Sequence, residues 1–244
     1  MTVAHLAEAE PVETVVHRLA PEVKVAATVL LVVCAALVPH GVFWPFAVDA
    51  ALLGAVALLA RVEAMFLLRR LVIEVPFVLF VVALPFFAED RHEGLLAAGG
   101  ILCKATLAVL ATGVLAATTT APEILAGLDR LRAPRQLTAI AAFAIRYLQV
   151  VLEELRRMQL ARVARGDDPR FLWQARAIGQ TAGTLAVRCF ERGERVHGAM
   201  LARGFDGSLP VSSLSPRAPL AAWVAVLPLP LVAALATVLA RGAA

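Results

Sequence analysis

Five stretches of this chain run on with almost no polar interruption: Val23 to Val38, Gly41 to Ala60, Val72 to Phe87, Gly94 to Ala117 and Leu220 to Leu239. A helix needs roughly 20 apolar residues to cross a bilayer, because it must match the hydrocarbon thickness while satisfying its own backbone. The first stretch is short by that measure, and it closes at the turn Pro39-His40-Gly41. The third contains Pro76 and Pro85, and the last contains Pro228 and Pro230. The whole chain is 60% hydrophobic over 244 residues, with a mean hydropathy of +0.79. Soluble domains run at about 45 to 50% apolar. The expected fold is therefore all-α, a polytopic membrane protein of about five transmembrane helices plus an arginine-rich cytoplasmic helical unit.

Loop charge sets the expected orientation. Arg61, Arg69 and Arg70 lie between the second and third stretches, and Arg130, Arg132 and Arg135 follow the fourth. The loop between the third and fourth has Arg91 against Glu89, Asp90 and Glu93. Since cytoplasmic loops carry the lysine and arginine excess, the first two loops are placed inside, and the N-terminus with them. The net charge of +4 reads the same way, as loop excess and not as a nucleic-acid surface. The expected location is the cell membrane, multi-pass, with a cytoplasmic N-terminus. No basic region leads into an apolar one at the start, so no cleaved leader is expected. The expected organisation is 1–22 as a polar segment, 23–118 as a four-span membrane domain, 119–217 as cytoplasmic helices and 218–240 as the final span. Gln136 to Val151 is ambiguous: Leu137 to Ile145 is apolar, but Arg146, Gln149 and Glu153 interrupt it. Treated as a surface-lying or partly buried helix start, it leaves five spans and an outside C-terminus; as a sixth span, it puts the C-terminus inside.

The arginine-rich stretch from Tyr147 to Gly207 differs from the rest. Placed at 100° per residue, Leu148, Val151, Leu152, Leu155 and Met158 fall on one stripe, with Glu153, Glu154, Arg156 and Arg157 off it. A second stripe runs through Ile178, Ala182, Leu185, Cys189, Val196 and Met200, with Arg176, Arg188, Glu191, Glu194 and Arg195 around the remaining surface. Each amphipathic pattern ends in the same tripeptide, Ala164-Arg165-Gly166 and Ala202-Arg203-Gly204. Breakers follow both: Asp167, Asp168 and Pro169 after the first, Asp206, Gly207 and Pro210 after the second. An arginine at a helix's negative end is electrostatically favoured, and its planar fork is placed to meet an acidic partner.

The second tripeptide sits inside Glu191-Arg192-Gly193-Glu194-Arg195-Val196-His197-Gly198-Ala199-Met200-Leu201-Ala202-Arg203-Gly204-Phe205-Asp206-Gly207, which closely resembles the signature of the transmembrane coupling component of energy-coupling factor importers, the CbiQ/EcfT family. The resemblance extends to the leading segment His17-Arg18-Leu19-Ala20-Pro21-Glu22-Val23-Lys24 and to the order of spans. It implies that Ala164, Arg165, Gly166, Ala202, Arg203 and Gly204 end two coupling helices that dock into a pair of ABC-type ATPase subunits. It also implies a third partner, a substrate-binding membrane subunit, with cobalt or nickel as the nearer cargo and a vitamin as the alternative.

Other chemistry finds little support in the residues. The only lysines, Lys24 and Lys104, lack the GxxxxGK[ST] frame of a phosphate loop, so the chain cannot hydrolyse nucleotide by that device. His5, His17, His40, His92 and His197 are isolated, and Cys34, Cys103 and Cys189 are widely spaced, so neither metal nor cofactor is expected. Asp49, Glu74 and Lys104 lie within apolar runs, where a charge is costly and points to function, to an internal pair or to a partner contact. Two readings compete with coupling: a membrane enzyme with a site at Asp49, Glu74 or Lys104, and an arginine-rich scaffold for anionic lipid.

Overall fold

A computed structural model describes residues 14–39, 41–87, 91–166, 175–205 and 218–243, and every element in them is helical. The breakers Asp167 to Pro169 and Asp206 to Pro210, and most of the polar segment 1–22, lie outside the described residues. Helix α1 spans Val15–Arg18, α2 Pro21–Leu37, α3 Trp44–Leu59 and α4 Ala64–Leu71. A 3-10 turn at Val72–Glu74 leads into α5, Val75–Phe87, followed by α6, Arg91–Thr118, and α7, Ala121–Arg130. Then come α8, Arg135–Ala164, α9, Ala175–Ala202, α10, Leu220–Val226, and α11, Pro228–Ala243. Proline opens several of these, as Pro21 does in α2, where its missing N–H costs nothing because a first-turn donor has no partner in the helix. Pro228 separates α10 from α11, so the last apolar stretch is a helix broken near one end.

By length and composition, α6, α8 and the continuous stretch Leu220–Gly242 could each cross a membrane, and α3 is a shorter apolar helix. Helix α8 is thus long and apolar enough to span, although its sequence reads as a surface-lying or partly buried start. The loop between the second and third apolar stretches carries a feature that charge counting overlooks, the amphipathic α4 with Arg69 and Arg70 in its last turn.

Contacts divide the chain into two compact units, 1–131 with 213–244, and 132–212. In the first, Leu31 and Ala35 of α2 and Val38 just after it pack with Phe46 and Leu53 of α3 and with Leu107, Ala111 and Val114 of α6. Ala233, Ala236 and Ala240 of α11 are buried at helical spacing, and small residues there let helices approach where lipid offers no hydrophobic drive to associate. Large apolar side chains such as Leu58, Leu79 and Phe80 are exposed, which water would penalise and hydrocarbon does not.

The charges within apolar runs have separate fates. Lys104 Nζ donates to the Val38 carbonyl at 2.8 Å, and Arg241 donates to that of Leu37 at 3.1 Å, so cations from α6 and α11 satisfy the last carbonyls of α2. Glu74 accepts the Thr106 hydroxyl at 3.0 Å. Asp49 is fully buried, and neither carboxyl oxygen has a hydrogen-bond partner among the described residues.

At the other end of α2, Lys24 Nζ donates to the carbonyls of His17 at 3.1 Å and Thr118 at 3.0 Å. Glu22 pairs with Arg130 at 2.6 Å and accepts the Ala218 N–H at 2.7 Å. Burial alone would raise the Glu22 carboxyl; the Ala218 N–H and the Arg130 guanidinium outweigh it and hold the group below the ordinary carboxylate range. Helix α7 lies against this turn through Gly127, where a Cβ would come within 3.0 Å of the Glu22 nitrogen and the Pro21 carbonyl carbon.

Candidate functional site

The second unit is built on α8 and α9, about 45 and 42 Å long at 1.5 Å per residue. Helix α8 turns Val151, Leu152, Leu155 and Met158 into a half-buried seam, as its period predicts, but leaves Leu148 exposed. On α9, Leu185, Cys189, Val196 and Met200 are half-buried while Ile178 and Ala182 are exposed, and Thr181 takes the buried place beside Ala182. A cleft of about 190 Å³ opens between the helices, lined by Val150, Val151, Glu154, Leu185, Arg188 and Cys189 among others. Arg188 crosses the pair to form an ion pair with Glu154, and Arg162 NH1 donates to the Thr181 hydroxyl at 3.4 Å. The helical wheel places Arg188 and Glu154 away from the apolar stripes without showing that they meet, because two separately drawn wheels hold no information about which edges of two helices face each other.

The tripeptides sit where the helices stop. Helix α8 ends at Ala164, and Gly166 turns left-handed at φ 84°, its N–H donating to the Val163 carbonyl at 3.0 Å. Helix α9 ends at Ala202, and Gly204 turns at φ 82° with its N–H on the Leu201 carbonyl at 3.0 Å. There the Phe205 N–H also reaches back to the Met200 carbonyl at 3.0 Å, completing a two-bond C-terminal lock. Only glycine enters this backbone region without a steric penalty, so the third residue of each tripeptide is dictated by the turn. The arginine before it becomes the last residue before the reversal. Arg165 and Arg203 are both exposed, as are Ala164 and Ala202, which leaves room for a partner surface close to the backbone. A guanidinium held there can offer two parallel N–H donors to one carboxylate.

The surrounding surface is unusually apolar for one facing water. Leu160 and Phe190 are each 70% exposed, and Val163, Val187 and Leu201 are exposed near them in sequence. Water penalises exposed apolar side chains of this size, and hydrocarbon or a protein surface does not. Asp49, Glu74 and Lys104 all belong to the first unit and form no ion pair with one another among the described residues.

The family of cobalt transport proteins named CbiQ matches residues 12–213, most of the chain. The chain belongs to the CbiQ family. Among curated CbiQ relatives, the cobalt transport protein CbiQ of Rhodobacter capsulatus is 32% identical over 127 residues, covering 52% of each chain. This chain thus spans about half the length of that relative. Energy-coupling factor transporter transmembrane proteins EcfT align more widely. That of Bacillus selenitireducens is 28% identical over 222 residues, covering 81% of this chain and 82% of its own length. That of Bacillus subtilis is 28% identical over 221 residues, covering 81% and 83%. The match takes in both tripeptides and the segment from His17 to Lys24, so the residues that carry the resemblance all lie within the CbiQ region. Membership makes this a membrane component of a transporter and agrees with the all-helical, apolar fold.

Proposed function

We propose that the chain is the transmembrane coupling component of an energy-coupling factor importer. It carries ATP-driven motion from a pair of cytoplasmic ATPase subunits to a separate substrate-binding membrane subunit, with cobalt or nickel as cargo. The observation that carries this reading is the pair of identical helix ends, each an exposed arginine followed by a left-handed glycine, on one compact unit. Two equivalent anchors suit two equivalent ATPases. Each arginine enters an acidic groove on one subunit, and nucleotide-driven closure of the pair changes the spacing of the two tips. The exposed apolar residues of α8 and α9 grip the substrate-binding subunit and pass the motion on.

The chemistry sets the size of the effect. Removing a desolvated arginine strands its acidic partner, which costs roughly 2 to 5 kcal/mol at that contact. Arg165→Ala and Arg203→Ala should each weaken capture of the ATPase pair, and the double variant should abolish it together with cobalt uptake. Lysine should substitute poorly, since it keeps the charge and loses the fork. Pull-down of the ATPases by each variant, against Arg176→Ala as the control, checks this; capture by the double variant equal to the control would remove the reading.

A further inference from the structure

The segment from His17 to Lys24 has no part in the action of the tips, yet in the fold it is where three separated parts of the chain meet. Glu22 is 5% exposed, and its two oxygens have different partners: Oε2 receives Arg130 at 2.6 Å and Oε1 receives the Ala218 N–H at 2.7 Å. Those partners are not arbitrary positions. Arg130 closes α7, immediately before the point after Leu131 where the chain leaves the first unit, and Ala218 follows the resumption of that unit at Ser213. One buried carboxylate therefore binds a residue close to each point at which the chain leaves or rejoins the first unit. Just beyond the clasp, Arg132 adopts a left-handed backbone at φ 63°, an unfavourable conformation for a residue with a side chain, and Pro134 follows two residues later. The chain thus bends sharply right after it is gripped. Gly127 brings the α7 backbone against Pro21 and Glu22, and Lys24 ties the same turn of α2 to the end of α6 at Thr118.

We propose that Glu22 and Arg130 are positioning residues for coupling, an anchor that fixes the outgoing and returning connections to the first turn of α2, so that motion of the 132–212 unit reaches the helix bundle and is not absorbed at the connections. The inference rests on the coupling role proposed for that unit. A buried pair of this kind suits the task, because removing either member takes from the other its oppositely charged partner inside the fold.

The test uses the intact transporter purified with its ATPase pair and substrate-binding subunit, Cys34, Cys103 and Cys189 being replaced by alanine. Spin labels are placed at Leu58 and Gln159, both exposed, one in each unit. Pulsed dipolar spectroscopy then reads the distance without nucleotide and after trapping with ATP and vanadate. The expected result is a nucleotide-dependent shift in the parent protein that is lost in Glu22→Ala and Arg130→Ala and kept in Arg130→Lys, with ATPase capture unchanged in all. An equal shift in Glu22→Ala, or no shift in the parent, overturns the anchor. So does loss of ATPase capture in Glu22→Ala, which would make the residue a requirement for folding and not for transmission. Failure of the coupling role itself shows elsewhere, as ATPase capture that does not depend on Arg165 and Arg203.

Discussion

At the scale of single residues, the chain treats its buried charges in two ways. Lys24, Lys104, Glu22 and Glu74 each find a backbone or side-chain partner, so each costs little once the fold has formed. Asp49 finds none among the described residues, and an unpaired carboxylate in an apolar bundle is a liability in either protonation state, greatest when ionised. Asp49→Asn is nearly isosteric and removes the possibility of charge. Its thermal unfolding in detergent should occur at the same temperature or higher, and a fall of several degrees would mean that the carboxylate is held by a group its surroundings do not reveal. The sequence marks all of these residues as costly, but it cannot say which are paired, since Glu22 and Arg130 stand 108 positions apart and Lys104 and Val38 stand 66 apart.

At the scale of elements, the contact of α7 with α2 depends on the absence of one side chain. A Cβ on Gly127 would sit 3.0 Å from backbone atoms of Pro21 and Glu22, and backbone cannot rotate aside as a side chain can. Alanine is the better helix former, yet overpacking of this kind typically costs about 1 to 3 kcal/mol and should win. Gly127→Ala should therefore lower the unfolding temperature in detergent, while Gly193→Ala, where the added atom would meet nothing, should not. The helices themselves were largely legible: each apolar run is helical, and the Ala-Arg-Gly tripeptides mark the two helix ends, because a left-handed glycine is a local requirement visible in sequence. Less legible were α4, too short for its period to stand out, and the seam of α9, where Thr181 is buried and Ala182 is not, a choice made by the facing helix. The Arg188 to Glu154 bridge was hidden for the same reason.

At the scale of the molecule, arginine placement argues for an inside N-terminus and, with five spans, an outside C-terminus. Helix α8 is the element that decides between five and six, being long and apolar enough to cross yet carrying Arg146, Glu153 and Glu154 along its length. A cysteine at residue 242 should accept a membrane-impermeant label from outside; labelling from the cytoplasm alone would place α8 across the bilayer. The closure of α2 has a consequence for how such a molecule is made. Its final carbonyls are met by Lys104 and by Arg241, the latter 204 positions downstream of Leu37. During synthesis α2 is made 204 positions before the arginine that meets its Leu37 carbonyl, so this contact forms only after α11 has been made.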